Sequence, residues 1–159
     1  MSQTAGTQVG LISDTHSLLR PEAVAALAGS DLILHAGDIG KPEILEALEA
    51  IAPVIAVRGN NDKGAWAEVI PERETVQVEG VFLHMLHIVQ ELDLDPQAAG
   101  IQVVISGHSH KPGIEERKGV FFINPGSAGP RRFKLPISVA RLHVEGSTVR
   151  PEIVQLEIV

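Results

Sequence analysis

Leu32-Ile-Leu-His-Ala-Gly-Asp38, Pro42-Glu-Ile-Leu-Glu-Ala-Leu-Glu-Ala-Ile51 and Pro53-Val-Ile-Ala-Val-Arg-Gly-Asn60 together decide the fold. The first and last contain short unbroken aliphatic runs, residues 32–34 and 54–57, as strands buried on both faces do. The middle piece starts with a proline, whose missing N–H costs nothing in a first helical turn, and sets Ile44, Leu45, Leu48 and Ile51 on one face. Upstream the pattern repeats: residues 9–12 form another buried run, and residues 21–28 open on Pro21 and space Val24 and Leu27 three apart. The chain therefore opens β-α-β-α-β, which predicts parallel strands joined by right-handed crossovers.

Downstream the character changes. Residues 75–78 and 81–86 flank Glu79-Gly80, residues 113–117 and 120–123 flank Lys118-Gly119, and residues 137–144 and 149–158 flank Glu145-Gly146-Ser147. Each pair reads as a hairpin around a glycine-containing turn. A further buried run, residues 103–106, follows a short helix candidate at 96–99. The expected architecture is α/β: a single domain over residues 1–159, a four-layer α/β/β/α sandwich of two mixed sheets flanked by helices.

Composition narrows the function. At 159 residues and 17.0 kDa the chain should bury roughly 69% of its extended surface, so it needs no covalent staple. With no cysteine, disulfides, thiolate zinc sites, iron–sulfur clusters and thiol nucleophiles are excluded, and a reducing compartment suits it. Thirteen Lys and Arg against 20 Asp and Glu give −7, and the longest basic run is Arg131-Arg132, so extended nucleic acid and polybasic membrane binding are not expected. Residues 1–8 have neither a basic nor an apolar segment, and no apolar run nears the roughly 20 residues of a membrane span, so a cytoplasmic protein is expected.

Polar groups gather directly after the apolar runs. Residues 11–13 lead into Asp14-Thr-His16, 32–36 into Gly37-Asp38, 55–58 into Gly59-Asn60-Asn61-Asp62, and 103–106 into Gly107-His108-Ser109-His110. The C-terminal edge of an open α/β sheet is where ligands bind, so four loops should converge on one rim with carboxylate, imidazole and amide groups. That donor set, lacking thiolate, suits divalent ions such as Mn²⁺, Fe²⁺, Zn²⁺ or Mg²⁺. His35 and His143 lie within strands and read as packing or supporting groups, His35 as one that orients a neighbouring ligand.

Asp14-x-His16, Gly37-Asp38, Gly59-Asn60-x-Asp62, Gly107-His108-x-His110 and Asn124-Pro-Gly-Ser127 resemble, in order and spacing, the calcineurin-like metallophosphoesterase superfamily. The length and the final motif resemble its small bacterial and archaeal phosphodiesterase branch, related to the retromer scaffold subunit of eukaryotes. The resemblance covers roughly residues 9–144. It implies one ion held by Asp14, His16, Asp38 and His110, and a second held by the shared Asp38 with Asn60, a middle-strand histidine and His108. His87 is the expected middle ligand because it follows the run 81–86 as the other ligands follow theirs; His84, inside that run, is the reserve. Mn²⁺ is the expected metal, with Fe²⁺, Zn²⁺, Ni²⁺ and Mg²⁺ as alternatives.

The implied reaction is hydrolysis of a small phosphodiester by a hydroxide bridging the two ions, with Asp38, Asn60, Asp62 and His108 as catalytic residues. Two ions less the charges of Asp14 and Asp38 leave the site near +2 in an acidic protein, which favours a small anionic substrate over a long polyanion. Asn61 departs from relatives that carry histidine there to protonate the leaving group; an amide cannot do so. Activated or strained esters are therefore the expected substrates. Arg131, Arg132 and, more weakly, Arg58 are candidates for holding the non-reacting phosphate oxygens; for the Arg131-Arg132 pair, solvent or an oligomer contact is the alternative. Asn124-Pro-Gly-Ser127 is either a plain turn or a buttress for the metal site. Two other functions stay open: a non-catalytic protein-interaction scaffold, which the full set of seven ligating side chains argues against, and a phosphomonoesterase or nucleotide hydrolase. The sequence leaves a homo-oligomeric state undecided.

Overall fold

In the computed structural model, residues 6–158 are described; within the leader reading of residues 1–8, residues 1–5 lie outside them. β1 (Thr7–Ile12), α1 (Pro21–Leu27), β2 (Leu32–His35), α2 (Pro42–Glu49) and β3 (Val54–Ala56) follow in the expected order. β1 pairs parallel with β2, Val9 opposite Leu32, and β2 with β3, Ile33 opposite Val54. Both helices carry proline in the first turn with Glu22 or Glu43 beside it, where a carboxylate meets the positive end of the helix dipole. α1 stops one residue before the expected end because Ala28 turns extended, at ψ 140°, ahead of Gly29.

β9 (Ser138–Glu145) joins β1 antiparallel and β10 (Thr148–Gln155) joins β9, completing one sheet in the order β10-β9-β1-β2-β3. Pro151, which cannot donate to a ladder, lies in the edge strand β10. The second sheet has the order β4-β5-β6-β8-β7, built from β4 (Arg73–Val78), β5 (Val81–Leu86), β6 (Val103–Ile105), β7 (Gly113–Arg117) and β8 (Val120–Asn124). β6 lies parallel to both neighbours while β4 and β7 run antiparallel, so both five-stranded sheets are mixed.

Because strand side chains alternate in direction, each sheet feeds two layers. Leu11, Leu34, Leu83, Met85, Ile105, Ile123 and Leu142 fill the space between the sheets. Ile12, Ile33 and Val139 face outward against Leu27, Ile44 and Leu48 of α1 and α2. A short helix absent from the sequence reading, α3 (Ala65–Glu68), adds Trp66 to that layer. Burying one such aliphatic side chain contributes about 1.5–3 kcal/mol, so the strands are held chiefly by what covers them. On the far face of the second sheet, Val104 and Val120 are covered by a segment carrying Val89, Leu92, Leu94 and one 3₁₀ turn, Val89–Glu91.

The helix expected at 96–99 is instead a pair of turns. The Asp95 carboxylate accepts from the Gln97 and Ala98 N–H groups, Ile101 N–H donates to Pro96, and Gly100 at φ 76° ends the segment after one turn.

The sheets interlock at one end, where Gly80 N–H donates to Gly146 and Gly146 N–H to the Glu79 carboxylate, which also accepts from Thr7. At the other end the loops after β1, β2, β3, β5 and β6 meet. Among the described residues no helix is long and apolar enough to cross a membrane.

Candidate metal centre

Asp14, His16, Asp38, His108 and His110 all adopt the left-handed region, with φ between 45° and 71°. Such backbone costs about 1 kcal/mol or more for a residue with a Cβ and persists only where the surroundings enforce it. Here the loops enforce it on one another: Asp14 N–H donates to Gly37 at 3.0 Å, His16 N–H to Asp38 at 3.0 Å and Ser17 N–H to Ile39 at 2.9 Å. Gly37, at φ 104°, supplies the turn itself. Gly59 and Gly107 are glycine for another reason: a Cβ on the first would overlap the Asp38 main-chain nitrogen and Oδ1, and on the second the Ser13 hydroxyl and Asp14 Oδ2.

Two groups result. Asp14, His16 and His110 offer ligand atoms within 4.8 Å of one another, and so do Asp38, His87 and His108. They abut: Asp14 Oδ1 lies 3.4 Å from His110 Nε2, 3.7 Å from His16 Nε2 and 3.8 Å from His87 Nε2. Asp38 Oδ2 reaches both groups, 3.2 Å from His87 Nε2 and 3.6 Å from His16 Nε2. The His16 and His110 rings lie 5.4 Å apart, those of His87 and His108 5.3 Å apart. His84 stands outside the cluster, bonded through Nδ1 to the Thr75 hydroxyl at 2.9 Å.

Supporting bonds fix what each group presents. Asp14 Oδ2 accepts from the Ser13 hydroxyl at 2.7 Å and His108 N–H at 3.1 Å, leaving Oδ1 for the centre. His87 Nδ1 donates to the Ala36 carbonyl at 2.7 Å, so its lone pair is on Nε2. His35, fully buried, accepts Gly37 N–H on Nδ1 at 3.1 Å and donates from Nε2 to Thr15 Oγ1 at 3.0 Å; that hydroxyl donates to Ile39. It is a neutral strut between the first two loops. Asp62 spends both oxygens on backbone, accepting from the N–H groups of Ile39, Gly40 and Gly59. Asn124 buttresses the last loop by donating to the Gly107 carbonyl at 3.0 Å and Ser109 Oγ at 3.1 Å, while Ser127 Oγ donates to Asp14 O.

Asn60 is exposed and lines a cavity of about 240 Å³ beside His87 and Arg58; its neighbour Asn61 makes the bonds to Asp38, from N–H to Oδ1 and from Nδ2 to Oδ2, both at 3.0 Å. The sequence reading missed that role and the one played by Ser13. Only the position of Ser13, immediately before a candidate ligand, hinted at it. Arg58 is paired with Glu72 at 2.9 Å, Arg131 is folded back on the Leu135 carbonyl, and Arg132 is close enough for its charge to be felt at His16. His143 bonds Gln8 at 2.6 Å, far from the centre in the fold.

The proton equilibria follow from the packing. Burial alone would raise Asp14, but the His110 and His16 rings, the charge of His87 and the Ser13 hydroxyl outweigh it and hold the carboxyl well below its usual range. Asp38 is also lowered: burial opposes this, and His87 and Asn61 N–H prevail. His16 is raised, first by its contact with Asp14. Burial pushes His87 down, yet Asp38 and Asp14 carry it above 6.5. His35, shielded from water, is pushed down to about 4.

A metal takes neutral imidazole, so an ion held by His16 and His87 would require both to release protons. A histidine raised in the fold stabilises the metal-free protein fully below 6.5, and that contribution is lost as pH climbs through the raised value. The gap in unfolding temperature between Mn²⁺-loaded and EDTA-treated protein should therefore widen from about pH 6 to about pH 8. Thermal unfolding at both values checks this, and a gap indifferent to pH contradicts it.

Asp14 Oδ1, His16 Nε2, His87 Nε2 and His110 Nδ1 are buried with no hydrogen-bond partner among the described residues. Each such buried atom left bare would cost about 1–3 kcal/mol, and the first three face one another across the Asp14 carboxylate. Divalent ions on these N and O donors would relieve that cost, so the residues fit a metal.

A family model described as the calcineurin-like phosphoesterase superfamily domain matches residues 8–147. A probable metallophosphoesterase of Methanothermobacter thermautotrophicus is 37% identical over 159 residues, covering 92% of this chain and 91% of that protein. A phosphodiesterase of Methanocaldococcus jannaschii is 28% identical over 138 residues, 75% of this chain and 82% of its own. In fold, vacuolar protein sorting 29 from Cryptosporidium parvum is similar with a TM-score of 0.77 at 22% identity, covering 98% of this chain and 100% of that one. The family match takes in every loop that gathers the carboxylates and imidazoles described above, and the chain belongs to the calcineurin-like phosphoesterase superfamily.

Proposed function

We propose that the protein is a dinuclear metal-dependent phosphoesterase acting on small phosphodiesters. The observation that carries this reading is the place of Asp38 Oδ2, within 3.6 Å of an imidazole from each three-residue group, a position from which one carboxylate would serve two ions. In this reading Asp14, His16, Asp38 and His110 hold one ion and Asp38, Asn60, His87 and His108 the other. Mn²⁺ is the first candidate, and Fe²⁺, Zn²⁺, Ni²⁺ and Mg²⁺ are alternatives. Such a pair, when bound, lowers the pKa of water to make a nucleophile and neutralises charge on the phosphoryl oxygens. Asn61 holds Asp38 in place, Asp62 acts through the backbone N–H groups it gathers, and exposed His108 faces the substrate side. The diester preference leans on the M. jannaschii relative, and the absence of cysteine suits a cytoplasmic location.

The Asn61 amide cannot give a proton to the leaving group, so alkyl esters should turn over slowly. Asn61→His should raise kcat/KM on a methyl nucleoside diester at least tenfold, toward the ~10²–10⁴-fold of general acids, and change p-nitrophenyl ester hydrolysis far less. No gain on the alkyl ester would remove the leaving-group argument. The function itself is tested by loading the protein with Mn²⁺ and assaying bis(p-nitrophenyl) phosphate, monoesters and cyclic nucleotides. Diester turnover abolished by EDTA is expected; turnover of none of these substrates contradicts the reading.

A further inference from the structure

Lys111, Arg131, Arg132 and Lys134 supply four of the chain's 13 cations, and no Asp or Glu occurs between Glu116 and Glu145, whereas the remaining nine cations face 20 acids for a remainder of −11. Among the described residues none of the four has a carboxylate within ion-pair distance, while Arg58, Arg73, Arg117 and Arg141 each have one. At their centre stands Phe133, 88% exposed at φ 55°, bordering an open groove with Lys111, Lys134 and Leu135. A bulky aromatic held outward at positive φ bears strain and exposure with little burial to offset either.

The loop is built in place. Arg131 Nη1 donates to Leu135 O and Leu135 N–H to Arg132 O, bracing the turn around Phe133. Its stem is bonded to the metal-centre loops through Ser127 Oγ to Asp14 O, Ala128 N–H to Ser13 O and Arg20 Nε to Gly129 O. Lys111 directly follows His110. An unpaired cationic patch around an exposed ring, beside a site that would cleave phosphoesters, matches a ligand with both phosphates and flat aromatic bases. A bilayer is the poorer match, because a single ring on a loop offers little apolar area to bury. The −11 remainder restricts the ligand to a few nucleotides.

We propose, resting on the phosphoesterase reading above, that this loop is a nucleotide-binding platform. Phe133 stacks on a base, and Arg132, Lys134 and Lys111 hold the phosphates of a short single strand whose adjoining diester enters the metal centre. The test needs no turnover: ¹⁵N NMR titration of EDTA-treated protein with single-stranded tetrathymidylate and with an abasic tetranucleotide of equal charge. Shifts should centre on Lys111 and residues 131–135. Phe133→Ala should weaken tetrathymidylate binding about tenfold and leave the abasic probe unchanged. Arg132→Ala with Lys134→Ala should weaken both probes and flatten the salt dependence. Equal binding of the two probes, shifts centred elsewhere, or loss of binding to phosphatidylglycerol vesicles in Phe133→Ala with tetrathymidylate binding intact would overturn the proposal. Hydrolysis of bis(p-nitrophenyl) phosphate by the metal-loaded wild type reports on the parent reading separately, so failure of one is distinguishable from failure of the other.

Discussion

Asp38→Ala should lower kcat/KM for bis(p-nitrophenyl) phosphate by about 10³-fold or more, the scale of several kcal/mol of charge stabilisation lost with the ions. Asp38 Oδ2 lies 3.6 Å from His16 Nε2 and 3.2 Å from His87 Nε2, closer to the second group than Asp14 Oδ1 at 3.8 Å, so its loss removes the carboxylate best placed between the two three-residue groups. The change should not unfold the protein. The carboxylate accepts from Asn61 N–H and Nδ2, and Asn61 is exposed, so water can take over both bonds. Bound metal per chain, measured with the rate, should fall together with it. A variant that keeps full rate would remove Asp38 from the chemistry.

Asp62→Ala should act on stability instead. Its oxygens accept from Ile39 N–H at 3.1 Å, Gly40 N–H at 3.0 Å and Gly59 N–H at 2.9 Å, and the residue is 5% exposed. Each buried donor left without a partner costs about 1–3 kcal/mol, and Gly40 lies nearer to solvent, so a loss of about 3–5 kcal/mol is expected. For a chain of this size that lowers the unfolding temperature by roughly 10 °C. Asp62→Asn keeps one acceptor oxygen and should lose about half as much. Urea unfolding of metal-free protein at constant m-value gives both numbers. A loss under about 1 kcal/mol would make Asp62 an ordinary turn residue.

The elements that carry most of the fold were readable because two-sided burial leaves unbroken aliphatic runs. Residues 9–12, 32–34 and 103–106 read as buried strands, and Pro21 and Pro42 mark helix starts. What escaped was short or tertiary. Ala65–Glu68 has too few residues to show a period, and its packing through Trp66 is decided by the neighbouring layer. Residues 96–99 looked helical from Pro96 onward, yet Asp95 satisfies their N–H groups locally and Gly100 closes the turn.

Within the candidate centre, chain position separated His87 from His84. The first leaves β5 and turns its ring toward Asp38, whereas the second lies inside β5 and pairs with Thr75 across β4. The bonds from Asn61 to Asp38 link residues 23 apart, and no local pattern announces them. A supporting role for His35 follows from its place inside a strand, while its tautomer depends on the Gly37 N–H pointing at Nδ1.

Anomalous diffraction at the manganese edge from crystals of the Mn²⁺-loaded protein tests directly whether Asp38 lies between two ions. Two peaks about 3.5–4 Å apart, on either side of Asp38, are expected. One peak lies against Asp14, His16 and His110, and the other against Asn60, His87 and His108. A single peak, or peaks away from Asp38, would contradict that placement.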